Sequence, residues 1–216
     1  MINLNIQLFG GRGRKRGLGV GGKVFAETQL YSNKTIEINC NRFSTISEWE
    51  SDIRDLDYEV LIVFKNGKPI KAYRGVESEV KPPKKEYTRW NNCIITHNHP
   101  KNGTFSIDDI RMLAYYNYKE IRAVISDGVF VFRRKIEDAD YNGLTEDIKS
   151  NSRMFILKMN TKLNKMQSDF EDGLYDMTVE EFNKHLLKKQ LYICKKFYKI
   201  LANKNGFEYK RLYLKK

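Results

Sequence analysis

Residues 93–110 read CIITHNHPKNGTFSIDDI. An apolar run from Cys93 to Thr96 ends in two histidines one residue apart, His97 and His99. A proline and a glycine-bearing turn follow, and Ser106 then opens a helical pattern that carries Asp109. The chain has three histidines, and two of them are here. Alternate side chains of a strand share a face. The spacing therefore predicts His97 and His99 side by side, with Asn98 on the opposite face. Two adjacent imidazoles make a poor core and repel when protonated, but they suit zinc. A catalytic zinc takes three protein ligands and keeps a fourth position open. Asp109, one turn into the helix, is placed to be the third. The same letters have a plainer reading. S-I-D-D is a capping box, with Ser106 taking a free helix amide and Asp109 reaching back. Spacing alone leaves both readings open.

Outward from this stretch, the pattern predicts alternating strands and helices. Residues 58–75, YEVLIVFKNGKPIKAYRG, read as a hairpin: VLIVF, an Asn66-Gly67 turn, and PIKAY returning. Residues 121–134, IRAVISDGVFVFRR, read as a second hairpin turning at Asp127-Gly128. Residues 44–56 show Ile46, Trp49, Ile53 and Leu56 at helical spacing, with Ser44 as the expected cap. A helix is expected over 106–118, and a proline-bearing loop over 79–92. From Thr145 onward the period is helical throughout. Ile148, Phe155, Met159, Leu163, Met166 and Phe170 form one stripe, and Val179, Phe182, Leu186, Cys194, Phe197 and Leu201 another. Two long amphipathic helices are expected, and FEYKRLYLKK after them is either an edge strand or a basic tail. The fold class is α+β, a mixed β-sheet flanked by helices with a C-terminal helical extension.

The totals bound the function. The chain has 216 residues with 41% hydrophobic and 12% aromatic content, enough for a core. No apolar run approaches the roughly 18–20 residues of a membrane helix, and no membrane partner is expected. Three widely spaced cysteines predict a reducing compartment and no thiolate cluster. The formal charge is +12, unevenly spread: +4 in residues 1–38, +7 in 145–216 and only +1 in 39–144. This divides the chain into a leader with a basic Gly-rich linker (1–38), a nearly neutral centre holding the histidines (39–144), and a basic helical extension (145–216). Residues 10–22, GGRGRKRGLGVGG, hold seven glycines and four basic residues and are expected to be a flexible linker. Basic flanks invite a polyanion such as DNA.

H-x-H-P followed by a short loop and S-x-x-D resembles the motif of the JAMM (JAB/MPN) metalloproteases. It is most similar to their RadC-like branch, which reads H-N-H-P and then S-x-x-D-I. The resemblance covers roughly residues 57–132. It implies a JAMM-like core, related in shape to the cytidine deaminases, with His97, His99 and Asp109 as zinc ligands. It further implies Glu59, immediately before VLIVF, as the general base and Ser106 as an oxyanion donor. The implied activity is hydrolysis of peptide or isopeptide bonds in a peptide or protein substrate. The sequence departs from the pattern in two places. Five residues instead of six separate Pro100 from Ser106, which makes Asp108 a rival ligand to Asp109. The segment before CIIT is short and carries prolines where the family places a helix. The first eleven residues, MINLNIQLFGG, resemble the leader of head-associated proteins of tailed phages. That resemblance implies a phage or prophage protein, in the host cytoplasm or the virion head, with capsid or portal partners. The competing expectation is a non-enzymatic head-associated or DNA-binding protein on a degenerate JAMM-like scaffold.

Overall fold

A computed structural model describes residues 35–213 of the chain. Of the leader and linker segment 1–38, residues 1–34 lie outside the described residues, and Ile36–Ile38 form the strand β1. Strands β1 (Ile36–Ile38), β2 (Val60–Lys65), β3 (Lys68–Arg74), β4 (Ile94–Asn98), β5 (Glu120–Ile125), β6 (Gly128–Arg134) and β7 (Phe207–Tyr213) form one sheet. Their order is β1-β3-β2-β4-β5-β6-β7. Only β4 and β5 run parallel, and the other neighbours are antiparallel. The parallel pair needs a crossover, and α3 (Ile107–Tyr116) supplies it. The expected mixed sheet flanked by helices is what forms. The turn of the first hairpin is at Asn66 and Gly67, both with positive φ (51° and 77°), the geometry that Asn-Gly favours.

The sheet has two apolar faces because its strands alternate. Val60, Ile62, Phe64, Ala72, Val124, Val129 and Val131 face α1 (Ile46–Ile53), which buries Trp49 and Ile53 against them. Val63, Ile95, Ile121, Ala123, Phe130 and Phe132 face the other way, onto α3, α4 (Tyr141–Glu171) and α5 (Val179–Lys204). Helix α1 starts later than its sequence pattern implied. Thr45, not Ser44, is the N-cap, because Glu48 stands three residues after Thr45 and completes a capping box with it. Residues 79–92 are not all loop. They contain a one-turn helix, α2 (Lys84–Tyr87), and a 3-10 turn at Thr88–Trp90 that buries Trp90. The two prolines precede this helix, where their missing amides cost nothing.

The C-terminal stripes do pair as a helical hairpin packed on the sheet. Phe155 stacks on Phe197 and Phe170 on Phe182, so α4 and α5 run antiparallel. The last segment is an edge strand: β7 pairs with β6 over its whole length. No helix among the described residues is long and apolar enough to cross a membrane.

Candidate metal centre

The site forms where β4 ends and α3 begins. His97 is the fourth residue of β4, paired with Leu61 on β2 and Ala123 on β5. It therefore lies on the face that carries Ile95, toward α3 and α5. His99 follows just past the strand, and its amide still donates to the Val124 carbonyl (2.8 Å), which keeps the alternation. Asn98 points to the opposite face, as the spacing predicted. The chain then turns. The Asn102 amide closes the turn on the His99 carbonyl (2.9 Å), and Asn102 takes a left-handed φ of 56°. Asparagine tolerates that region better than most residues. Buried Phe105 anchors the turn, and its carbonyl accepts from the Tyr198 hydroxyl of α5 at 2.8 Å. Thr104 meets the Tyr209 hydroxyl of β7 at 3.2 Å. The C-terminal segment thus braces the loop that joins the histidines to Asp109.

The three predicted ligands meet. The Nε2 atoms of His97 and His99 are 2.8 Å apart. Asp109 Oδ1 is 3.3 Å from His97 Nε2, and Asp109 Oδ2 is 3.7 Å from His99 Nε2. Tetrahedral bonds of about 2.0–2.2 Å place neighbouring donors about 3.3–3.6 Å apart, and the three separations bracket that range. These side chains can hold a metal ion. Asp109 is also the third helical residue of a capping box whose N-cap is Ser106. Its Oδ2 accepts from the Ser106 amide (2.7 Å) and hydroxyl (2.8 Å), and its own amide donates to Ser106 Oγ (3.1 Å). The two readings of S-I-D-D are therefore compatible, since Oδ2 holds the helix start on the side of His99 while Oδ1 faces His97. Asp108 is not drawn in. It is exposed and pairs with Arg111 along the helix. The third histidine, His185, is exposed on α5 and lies against Tyr175.

The electrostatics of the cluster follow from one carboxylate set beside two buried imidazoles. Burial opposes charge on His97, but the Asp109 carboxylate beside it, with help from Glu59, raises its pKa above the ordinary 6.5. Burial and then the neighbouring His97 charge push His99 down to about 4. Burial would raise Asp109, yet His97 outweighs it and holds the carboxyl far below its usual range. The shifts of His97 upward and of His99 and Asp109 downward are those expected where one carboxylate faces two buried imidazoles. His99 Nδ1 lies 3.1 Å from the Gly103 carbonyl, so this nitrogen donates and leaves Nε2 with its lone pair inward.

Glu59 precedes β2 by one residue, so it follows Leu61 onto the face of His97. It lines the same cavity as both histidines, Ser106 and Asp109, with a volume of about 600 Å³. Burial pushes its carboxyl up to about 7, against the pull of His97, and a hydrogen bond from the Val80 backbone acts on it as well. A carboxyl poised near neutrality in a cleft beside a cation site is suited to move protons. The backbone around Glu59 is pinned by Asn98. The buried Asn98 amide donates to the Tyr58 carbonyl (2.8 Å) and accepts from the Val60 amide (2.7 Å). Sequence reasoning placed Asn98 only as the residue between the histidines. Its polarity on a buried strand face was the available signal. The cavity wall from α5, with Asn183, Leu186, Leu187 and Gln190, was missed too, because nothing local ties those residues to a strand about ninety positions earlier.

Fold and site together define an α+β chain with two histidines and one carboxylate, a group that could hold a metal ion, at the end of a central strand. No protein-family model, no curated protein and no solved structure matches the chain.

Proposed function

We propose that the chain is a zinc-dependent hydrolase of the JAMM type that cleaves an amide or isopeptide bond in a peptide or protein. The observation that carries the reading is the meeting of His97, His99 and Asp109 in one cavity with a carboxyl, Glu59, held at about 7. The donor set, two imidazoles and one carboxylate, is one that zinc accepts in catalytic sites, in preference to the all-oxygen sets of calcium and magnesium. Bound there, zinc would act as a Lewis acid on the scissile carbonyl and make water more acidic. The remaining roles fall to the chain's own groups. Glu59 takes a proton from the attacking water and returns it to the departing amine nitrogen as the C–N bond breaks. A carboxyl near 7 can do both at neutral pH. Ser106 orients Asp109 through its hydroxyl proton. Rotation of that hydroxyl away from Asp109 would offer the proton to the developing oxyanion, a contact worth about 3 kcal/mol where it has been removed. The apolar wall of Leu61, Trp90, Tyr118 and Ile121 excludes water around the reacting bond.

A panel of peptide and isopeptide substrates with amine detection tests the proposal. Zinc-dependent cleavage that disappears in Glu59→Gln supports it, and cleavage indifferent to both zinc and Glu59 refutes it. The phage setting belongs to the proposal and rests on the resemblance of the first eleven residues. Detection of the protein in purified virions tests it separately.

A further inference from the structure

The outer faces of α4 and α5 carry a feature the metal centre does not use. From Lys149 to Lys165, α4 holds five basic residues and no acid, and from Phe182 to Lys204, α5 holds seven lysines and no acid. Acids sit only near the helix ends, where Glu146, Asp147 and Glu180 pair with Lys149, Lys204 and Lys184. Arg153, Lys158, Lys162 and Lys165 on α4, and Lys188, Lys195, Lys196 and Lys199 on α5, are exposed. Among the described residues none of these eight has a carboxylate within ion-pair reach. Charges from both helices converge midway along the hairpin. The Lys196 ammonium lies 4.7 Å over the exposed Tyr192 ring. Lys196, Lys189 and Lys162 together pull the Tyr192 phenol below its ordinary range.

We propose that the joint outer face of α4 and α5 binds the phosphate backbone of duplex DNA without regard to sequence. The unpaired cations of α4, from Arg153 to Lys165, span about 18 Å at about 1.5 Å per residue, which matches about five phosphates of one strand at about 3.4 Å spacing. Uncompensated cations over such a length fit a regular polyanion. A membrane surface fits less well. An interfacial helix needs a broad apolar side, and here those sides are turned into the core: Leu144, Ile148, Met159 and Leu163 on α4, and Phe182, Leu186, Cys194 and Leu201 on α5. Besides Tyr192, the large exposed apolar side chains on these helices are Met154, Leu157, Val179 and Ile200, against eight exposed cations without an ion-pair partner. The surface lies outside the metal site, so the inference stands or falls independently of the hydrolase.

The test is fluorescence anisotropy of the full chain on a labelled duplex of about 20 base pairs across a salt series. The expected result is a log–log salt slope of about −5 or steeper, equal for scrambled sequences. The triple variant K162Q/K189Q/K196Q should flatten the slope by about two to three and weaken binding at least about tenfold. Charge reversal in K158E/K195E should also weaken binding, and His97→Ala should leave it unchanged. Circular dichroism confirms that each variant is folded. No binding at low salt overturns the proposal. So does an unchanged slope in the triple variant, or tighter binding to phosphatidylserine vesicles than to duplex.

Discussion

Replacing Glu59 with glutamine removes a charge that the fold holds at a cost. Burial raises this carboxyl from an ordinary 4.5 to about 7. Each pH unit is worth about 1.4 kcal/mol, so the ionised form costs the folded protein about 3 kcal/mol. A raised carboxyl pKa means that the folded chain keeps a proton the unfolded chain has lost between these two values. Wild-type stability therefore falls as pH rises from about 4.5 through about 7, and stays low above. The substituted amide does not titrate and can still accept from the Val80 backbone. Metal-free Glu59→Gln should match the wild type near pH 4.5 and exceed it by about 3 kcal/mol at pH 8. Urea denaturation in EDTA at both pH values measures the difference. EDTA matters, because a bound cation would lower the Glu59 pKa itself. The same variant should keep its zinc and lose on the order of 10²–10⁴ in hydrolysis. A stability difference that does not change with pH, or a variant less stable at pH 8, would refute the reasoning.

Zinc affinity should fall about tenfold per pH unit once pH drops below the raised His97 pKa, so the fall sets in at a higher pH than an ordinary imidazole would give, because the metal must displace the His97 proton; competition with a chromophoric chelator reads this. Asn98→Ala leaves the Tyr58 carbonyl and the Val60 amide without their partner, and should cost about 2–4 kcal/mol in chemical denaturation. Ser106→Ala removes the cap of α3, for about 1 kcal/mol, and loosens Asp109, which should weaken zinc binding about 10–100-fold. Glu50→Ala strips Arg122 of its bidentate partner behind the site, leaving Glu120, and should destabilise the chain by about 3–5 kcal/mol in thermal or urea unfolding.

Much of the site was legible because its parts are local. His97 and His99 obey the two-residue period of a strand, and Ser106 and Asp109 obey the capping geometry of a helix. Each rule acts within a few residues. Treating cap and ligand as rivals overlooked that a carboxylate has two oxygens, and Asp109 uses both. The assignment of Glu59 came from the resemblance. Its environment depends on Val80 and His97, which only the folded sheet brings near. The edge strand β7 was ambiguous for the same reason. FEYKRLY alternates weakly, and what fixes it is pairing with β6, about eighty residues earlier. The cap of α1 slipped by one because Ser44 and Thr45 are both good caps, and the position of Glu48 decides between them. The helix within 84–87 was hidden by its prolines, which read as breakers but stand before its first turn.

Metal content tests the central claim most directly. The 216-residue chain is dialysed against zinc, freed of excess, and measured by inductively coupled plasma mass spectrometry beside His97→Ala. The account predicts close to one zinc per wild-type chain and almost none in the variant. Wild-type protein that is folded and retains no stoichiometric metal would contradict it.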